Sequence, residues 1–119
     1  YDAVLIKENH IMAAGSIAAA VAQARALPGQ VKVEVETETL DEVRQALEAG
    51  ADVIMLDDFD LEGMRAAVAM VGDRCKLEAS GGVDLSRIRE IAKTGVHFIS
   101  VGALTKHIQA VDLSLRLEA

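Results

Sequence analysis

Apolar residues gather in five short runs, at 3–8, 31–36, 52–56, 75–79 and 97–101, whose starts lie 28, 21, 23 and 22 residues apart. The segments between them change period. Ile17, Ala20, Val21, Ala24 and Leu27 make one helical stripe, Met64, Ala67, Val68 and Val71 a second, and Leu85, Ile88 and Ile91 a third. Thr39 followed by Glu42 has the spacing of a capping box. Gly50 and Gly95 stand where helices stop before the next strand. The stretches 48–54 and 93–99 repeat one theme of helix end, glycine and strand. Strands alternating with helices predict a parallel sheet with right-handed crossovers.

The alternation inside the strands selects the architecture. Val31, Val33 and Val35 face one way, and Lys32, Glu34 and Glu36 the other; Leu77 and Ala79 likewise oppose Lys76, Glu78 and Ser80. A doubly wound sheet buries both faces and reads as continuous apolar runs. Here one face is polar and is expected to carry paired opposite charges. A barrel with a polar interior fits that pattern. Five βα units predict a partial (β/α) barrel, an α/β portion of a larger TIM-like whole, as one domain over 1–119. The opening at Tyr1, almost directly into a strand, suggests a piece of something longer.

The net charge of −7 and the lack of a basic stretch argue against nucleic-acid binding. No apolar run approaches a membrane span, and no targeting segment opens the chain. A single cysteine, Cys75, excludes an internal disulfide framework and fits a cytoplasmic setting. Cys75 begins a strand and reads as core rather than nucleophile.

In α/β barrels the chemistry sits at the C-terminal ends of the strands. Those ends carry Lys7 to His10, Glu36, Asp57 and Asp58, Glu78 and Ser80, and Ser100 and Gly102. Ser80-Gly81-Gly82 precedes a helix capped near Asp84, and the next strand ends at Ser100-Val101-Gly102. Two consecutive glycine-bearing loops of this kind suit a phosphate held by backbone amides. A bulky side chain at Gly81 is expected to block the approach of that phosphate. Glu36 and Asp57, 21 residues apart on adjacent strands, suit Mg²⁺ held through water, or sugar hydroxyls. Their other reading is surface charge beside helix caps, with Asp58 and Asp60 as the caps. Lys7 suits a phosphate or carboxylate, or a structural pairing with Glu34 or Glu36. His10 reads as a loop histidine, either solvated or an acid–base group. Spacing alone reaches a phosphate-binding barrel and no reaction.

LIKENH at 5–10, VEVE at 33–36, AGADVIMLDDF at 49–59, EASGG at 78–82, ISVGALT at 99–105 and DLSLRL at 112–117 together resemble the quinolinate phosphoribosyltransferase family. The resemblance covers nearly the whole chain. One departure is Asp58, where the family often has Asn. The resemblance implies transfer of a phosphoribosyl group from its pyrophosphate to quinolinate, giving nicotinate mononucleotide, pyrophosphate and CO₂ for NAD synthesis, with Mg²⁺ as cofactor. It implies that Lys7 contacts both substrates and that Glu36 and Asp57 engage ribose hydroxyls and the metal–pyrophosphate unit. Ser80, Gly81, Gly82, Val101, Gly102 and Ala103 would hold the 5′-phosphate. It also implies an N-terminal domain and earlier barrel strands that carry cationic clamps for the quinolinate carboxylates, and a homodimer or higher homo-oligomer. This portion alone is then expected to be inactive. Two other readings remain: a non-catalytic phosphate-binding half barrel, and a related barrel acting on another aromatic acid or phosphosugar.

Overall fold

The computed structural model describes residues 3–82 and 84–101, and the backbone of 107–109. Eleven elements follow one another: β1 (Ala3–Ile6), α1 (Glu8–Ala14), α2 (Ile17–Arg25), β2 (Lys32–Thr37), α3 (Leu40–Glu48), β3 (Val53–Leu56), α4 (Leu61–Val71), β4 (Lys76–Gly82), α5 (Leu85–Ala92), β5 (Phe98–Val101) and β6 (His107–Gln109). The strands lie in the sheet in chain order. β1 to β5 pair in parallel. β6, which the periodicity did not predict, pairs antiparallel with β5.

This order separates a barrel segment from a doubly wound sheet. Each crossover leads to the adjacent strand with no reversal, so right-handed connections put α2 to α5 on one face. That face is the core. Val33, Val35, Ile54, Leu56, Leu77, Ala79 and Ile99 pack there against Ile17, Val21, Val43, Met64, Val71, Ile88 and Ile91, all buried. Each such aliphatic side chain contributes roughly 1.5–3 kcal/mol on leaving water. The register places Glu34 beside Val53, and Met55 beside Glu78, on the opposite, helix-free face.

Local chemistry sets the helix starts. Ser16 Oγ accepts from the Ala19 amide at 3.0 Å, Asp60 Oδ1 from Gly63 at 2.6 Å and Asp84 Oδ1 from Ser86 at 2.9 Å. Thr39 Oγ1 accepts from Glu42 at 3.1 Å, but Glu42 Oε1 reaches past the cap to the Glu38 amide at 2.8 Å. The box is thus shifted by one residue on its return side. Asp58 is no cap. It adopts φ +61°, a left-handed conformation that Asn and Asp tolerate better than most residues. At the N-terminal strand ends, Arg25 donates to the Gly50 carbonyl at 2.6 Å and pairs with Asp52 at 2.9 Å. Asp52 in turn accepts from the Val33 amide at 2.8 Å, tying α2 to β2 and β3.

One irregularity lies at the end of β4. Ser80 pairs with Ser100 and Gly82 with Val101, so Gly81 is the extra residue of a β-bulge. A Cβ on Gly81 would stand 2.8 Å from Ile99 Cγ2 and 3.1 Å from Ile88 Cγ1. Gly82 has φ +64° with open space where a Cβ would go. Gly81→Val is therefore expected to destabilise the chain by about 1–3 kcal/mol through overpacking against Ile88 and Ile99. Gly82→Ala should cost about 1–2 kcal/mol through backbone strain alone. Urea unfolding of the two variants, with near-ultraviolet or methyl NMR spectra to report the core, checks both.

Candidate active site at the strand ends

The C-terminal strand ends bring the sequence candidates to one rim. Lys7 follows β1 directly and is the N-cap residue of α1. Glu36 lies in β2 and Asp57 just after β3, where the Asp57 amide still donates to the Thr37 carbonyl at 2.8 Å. Thr37, wholly buried, donates from Oγ1 to the Met55 carbonyl at 2.8 Å and locks the two strands just below the rim. Alternation along each strand carries Lys7, Glu36 and Asp57 to the helix-free face.

Their proximity is visible in the electrostatics. Burial and the neighbouring Asp57 charge push the Glu36 carboxyl above its ordinary value, and the Lys7 ammonium opposes them. No ion pair within 4 Å joins Lys7 to Glu36 or Glu34 among the described residues, so the structural pairing, its alternative reading, does not form there. Two half-buried carboxylates side by side, with a cation near but not on them, form a site with an unmet demand for positive charge.

Around the bulge, Ser80 is exposed, Gly81 is buried and Gly82 is exposed. Close packing explains the glycine at 81, because a side chain there would strike Ile88 and Ile99. Packing alone thus suffices to require glycine at 81, whether or not its amide also meets a phosphate. Gly82 and the Ser80 hydroxyl are the groups of this loop that face open space. Val101 ends β5 half-buried beside Gly82. Gly102 and Ala103 lie outside the described residues.

The structure corrects two readings. His10 is not in a loop. It occupies the third position of α1, and its Nδ1 accepts from the Lys7 amide at 3.1 Å, so it helps to cap the helix that fixes Lys7. α1 itself escaped the sequence reading because its seven residues, ENHIMAA, bury no side chain fully and show no stripe. The predicted pairing of opposite charges on the polar face is also absent among the described residues. Lys32 and Lys76 are exposed at the strand starts, whereas Glu34 and Glu78 are buried. These two carboxyl groups face each other across β3. Burial, then the adjacent Glu78, pushes the Glu34 carboxyl up to about 8. Glu78 also accepts a short hydrogen bond from the Ser100 hydroxyl. Alternation put both glutamates on the polar face, but no local signal shows that two strands one apart bring them together.

Cys75 is core as expected. It is buried, and burial pushes its thiol up to about 11, which leaves it protonated and unreactive. His97 serves the backbone: its Nδ1 accepts from the Leu77 amide at 3.0 Å, and burial lowers its basicity. No group of three or more His, Cys, Asp or Glu side chains that could hold a metal occurs among the described residues. A cation at Glu36 and Asp57 therefore needs further oxygens from a ligand or water. No helix among the described residues is long and apolar enough to cross a membrane. Wider clefts, of about 400 and 350 Å³, open around Asp52 at the opposite end of the sheet, away from these groups.

A partial α/β barrel with acidic and glycine-bearing groups at its strand ends defines a class, that of barrel proteins with a site at the C-terminal face. The chain belongs to the quinolinate phosphoribosyl transferase C-terminal domain family, whose model matches residues 1–116. It is 42% identical, over 97% of its length, to a probable nicotinate-nucleotide pyrophosphorylase [carboxylating] of Bacillus subtilis, and 43% identical, over 98%, to the nicotinate-nucleotide pyrophosphorylase [carboxylating] of Rattus norvegicus. In structure it is similar to the nicotinate-nucleotide pyrophosphorylase of Francisella tularensis, with 50% identity, a TM-score of 0.81, and coverage of 92% of this chain and 40% of that one. A mandelate oxidase at 19% identity and a TM-score of 0.58 shares the fold alone. The chain spans about 40% of the length of the two curated relatives.

The pH dependence of stability follows from Glu34. An unfolded glutamate ionises near 4.5, and folding raises this one to about 8. Between those values the folded chain holds a proton that the unfolded chain releases. The contribution is whole below pH 4.5 and is lost as pH rises through about 8. Denaturant midpoints of the chain should fall between pH 5.5 and pH 8.5, and Glu34→Gln should flatten that fall.

Proposed function

We propose that this chain supplies the ribose- and pyrophosphate-binding half of the active site of a phosphoribosyltransferase that converts quinolinate and phosphoribosyl pyrophosphate to nicotinate mononucleotide, pyrophosphate and CO₂. The observation that carries the reading is the grouping of Lys7, Glu36 and Asp57 on one face at the strand ends, in a chain of this family. The relatives' names supply the reaction, and the chemistry of the rim suits it. Loss of pyrophosphate from the anomeric carbon leaves positive charge on the ribose. Carboxylates fixed beside it stabilise that charge without reorganising. The ring nitrogen of quinolinate is the nucleophile, so the protein need not provide one.

Glu36 and Asp57 also fit Mg²⁺, because two adjacent carboxylates supplemented by substrate oxygens and water match its preference for hard, partly hydrated sites. Bound there, the ion would supply neutralisation of the leaving pyrophosphate. Lys7, fixed at the start of α1 by the His10 cap, is positioned to hold an anionic group of either substrate. Ser80 and the backbone of Gly81 and Gly82 are the groups proposed for the 5′-phosphate, together with Val101 and with Gly102 and Ala103, which follow it in sequence. The quinolinate carboxylates require cationic groups that this half does not concentrate. They are proposed to come from the remaining part of the enzyme, working as a homodimer or larger homo-oligomer in the cytoplasm.

Two measurements test the reading. In an enzyme containing this chain together with the rest of the family's length, Glu36→Gln and Asp57→Asn should each lower kcat more than about tenfold while the fold survives, since each removes charge stabilisation made in the transition state. Wild-type rates in both variants would reduce the pair to surface charge. The 119-residue chain by itself should form no nicotinate mononucleotide from the two substrates, assayed by chromatography of the products; turnover by the chain alone would mean that the quinolinate clamps lie within it.

A further inference from the structure

Two serine hydroxyls stand side by side at the mouth, Ser80 on β4 and Ser100 on β5, paired in register just before the bulge. They are chemically different. Ser80 is exposed, and its side chain makes no hydrogen bond to another described residue. Ser100 is half-buried and donates its O–H to Glu78 Oε2. Glu78 is fully buried, on the same helix-free face, with Met55 and Phe98 beside it in register and the Glu34 carboxyl close by.

We propose that Glu78 is a positioning residue that holds the Ser100 hydroxyl by its only O–H, so that Ser100 offers a bound ligand acceptor lone pairs and no donor. A serine hydroxyl has one hydrogen and two lone pairs. A carboxyl oxygen of Glu78 already accepts that hydrogen, so a ligand meets only the hydroxyl's lone pairs. The consequence is a division of labour between neighbouring serines. Ser80, with the exposed Gly82 backbone beside it, accommodates phosphate oxygens, which accept hydrogen bonds. Ser100 rejects them, because lone pair would face lone pair. It favours a ligand hydroxyl or N–H in their place. A ribose 5-phosphate carries both kinds of group, and the two serines would fix which end lies over which strand. This assignment rests on the phosphoribosyl reading for the identity of the ligand. The link between Glu78 and Ser100 does not.

The test has two arms, chosen so that they fail separately. In the 119-residue chain, NMR should detect the Ser100 hydroxyl proton as slowly exchanging, with a cross-peak to the Glu78 side chain. The signal should persist in Glu78→Gln, which keeps an acceptor oxygen, and vanish in Glu78→Leu. A freely exchanging Ser100 hydroxyl in the wild-type chain overturns the proposal outright. In the longer enzyme, Ser100→Ala and Glu78→Leu should each lower kcat/KM for phosphoribosyl pyrophosphate by about tenfold, the worth of one hydrogen bond, and leave the KM for quinolinate unchanged. The double variant should lose no more than the worse single one, because both changes break the same bond. Glu78→Gln should recover most of the loss. Losses that multiply, or that fall on quinolinate, would show Glu78 to be packing only. Ser100→Ala leaves Glu78 and its neighbours in register in place, so wild-type kinetics in that variant refute the idea even if Glu78→Leu does not fold. If the wild-type enzyme has no phosphoribosyltransferase activity, the proposed function falls while the NMR arm still judges Glu78.

Discussion

Each parallel crossover in this sheet returns to the adjacent strand on the same side, and a right-handed connection allows that only when the helices all cover one face. The rest follows from this handedness. The covered face takes the aliphatic half of every strand and becomes the core. The uncovered face takes the alternate residues, which therefore had to be compatible with a strand interior without a helix to cover them. Glu34, Glu36, Glu78 and Ser100 occupy that face. Asp57 joins them one step beyond β3. The candidate site is thus the open end of a surface whose floor is already polar, and its chemistry begins in the strands.

The floor has its own cost. A carboxyl group buried beside another carboxyl is disfavoured as a charge twice over, by lost hydration and by repulsion. Glu34 responds by keeping a proton near neutral pH. The proton removes the repulsion that two charges would feel there. Glu78 also accepts from the Ser100 hydroxyl, which adds a side-chain bond between β4 and β5 to their backbone ladder, directly beneath the rim.

The α/β barrel class and the rim residues were legible because both are local or periodic. Alternation at Val33 to Glu36 chose the face, repeat spacing brought Glu36 beside Asp57, and Thr39, Asp60 and Asp84 announced helix starts by side-chain chemistry that acts within three residues. What stayed hidden depends on partners distant in sequence. The Glu34–Glu78 approach needs the stagger of three strands. The bulge at Gly81 is a property of the β4–β5 register, and a Ser-Gly-Gly run looks the same with or without it. α1 failed for the opposite reason: it is so short and so exposed that no apolar stripe marks it, and its cap is a histidine ring rather than a hydroxyl. β6 pairs antiparallel with β5, which no βα period anticipates.

The two glycines of the bulge show how one motif can serve two demands. Gly81 turns its missing side chain toward the core, where Ile88 and Ile99 leave no room. Gly82 turns its own toward open space, and its φ of +64° favours glycine there. The packing requirement at 81 holds the strand end down, and the backbone requirement at 82 redirects the chain above it. An anion approaching this end therefore meets a backbone anchored from beneath by aliphatic contact. That anchoring matters more on an acidic face than it would on a basic one. With Glu36 and Asp57 nearby, net attraction for a phosphate cannot come from the summed charge of the rim, and a mobile loop would let the phosphate drift toward repulsion. Fixed amide dipoles and the exposed Ser80 hydroxyl can hold it by geometry, at a distance from the carboxylates set by β3 and β4. Under the proposed reaction the same acidity becomes useful only when positive charge develops on the ribose. On that proposed reaction, the rim is better matched to the transition state than to the anionic substrates.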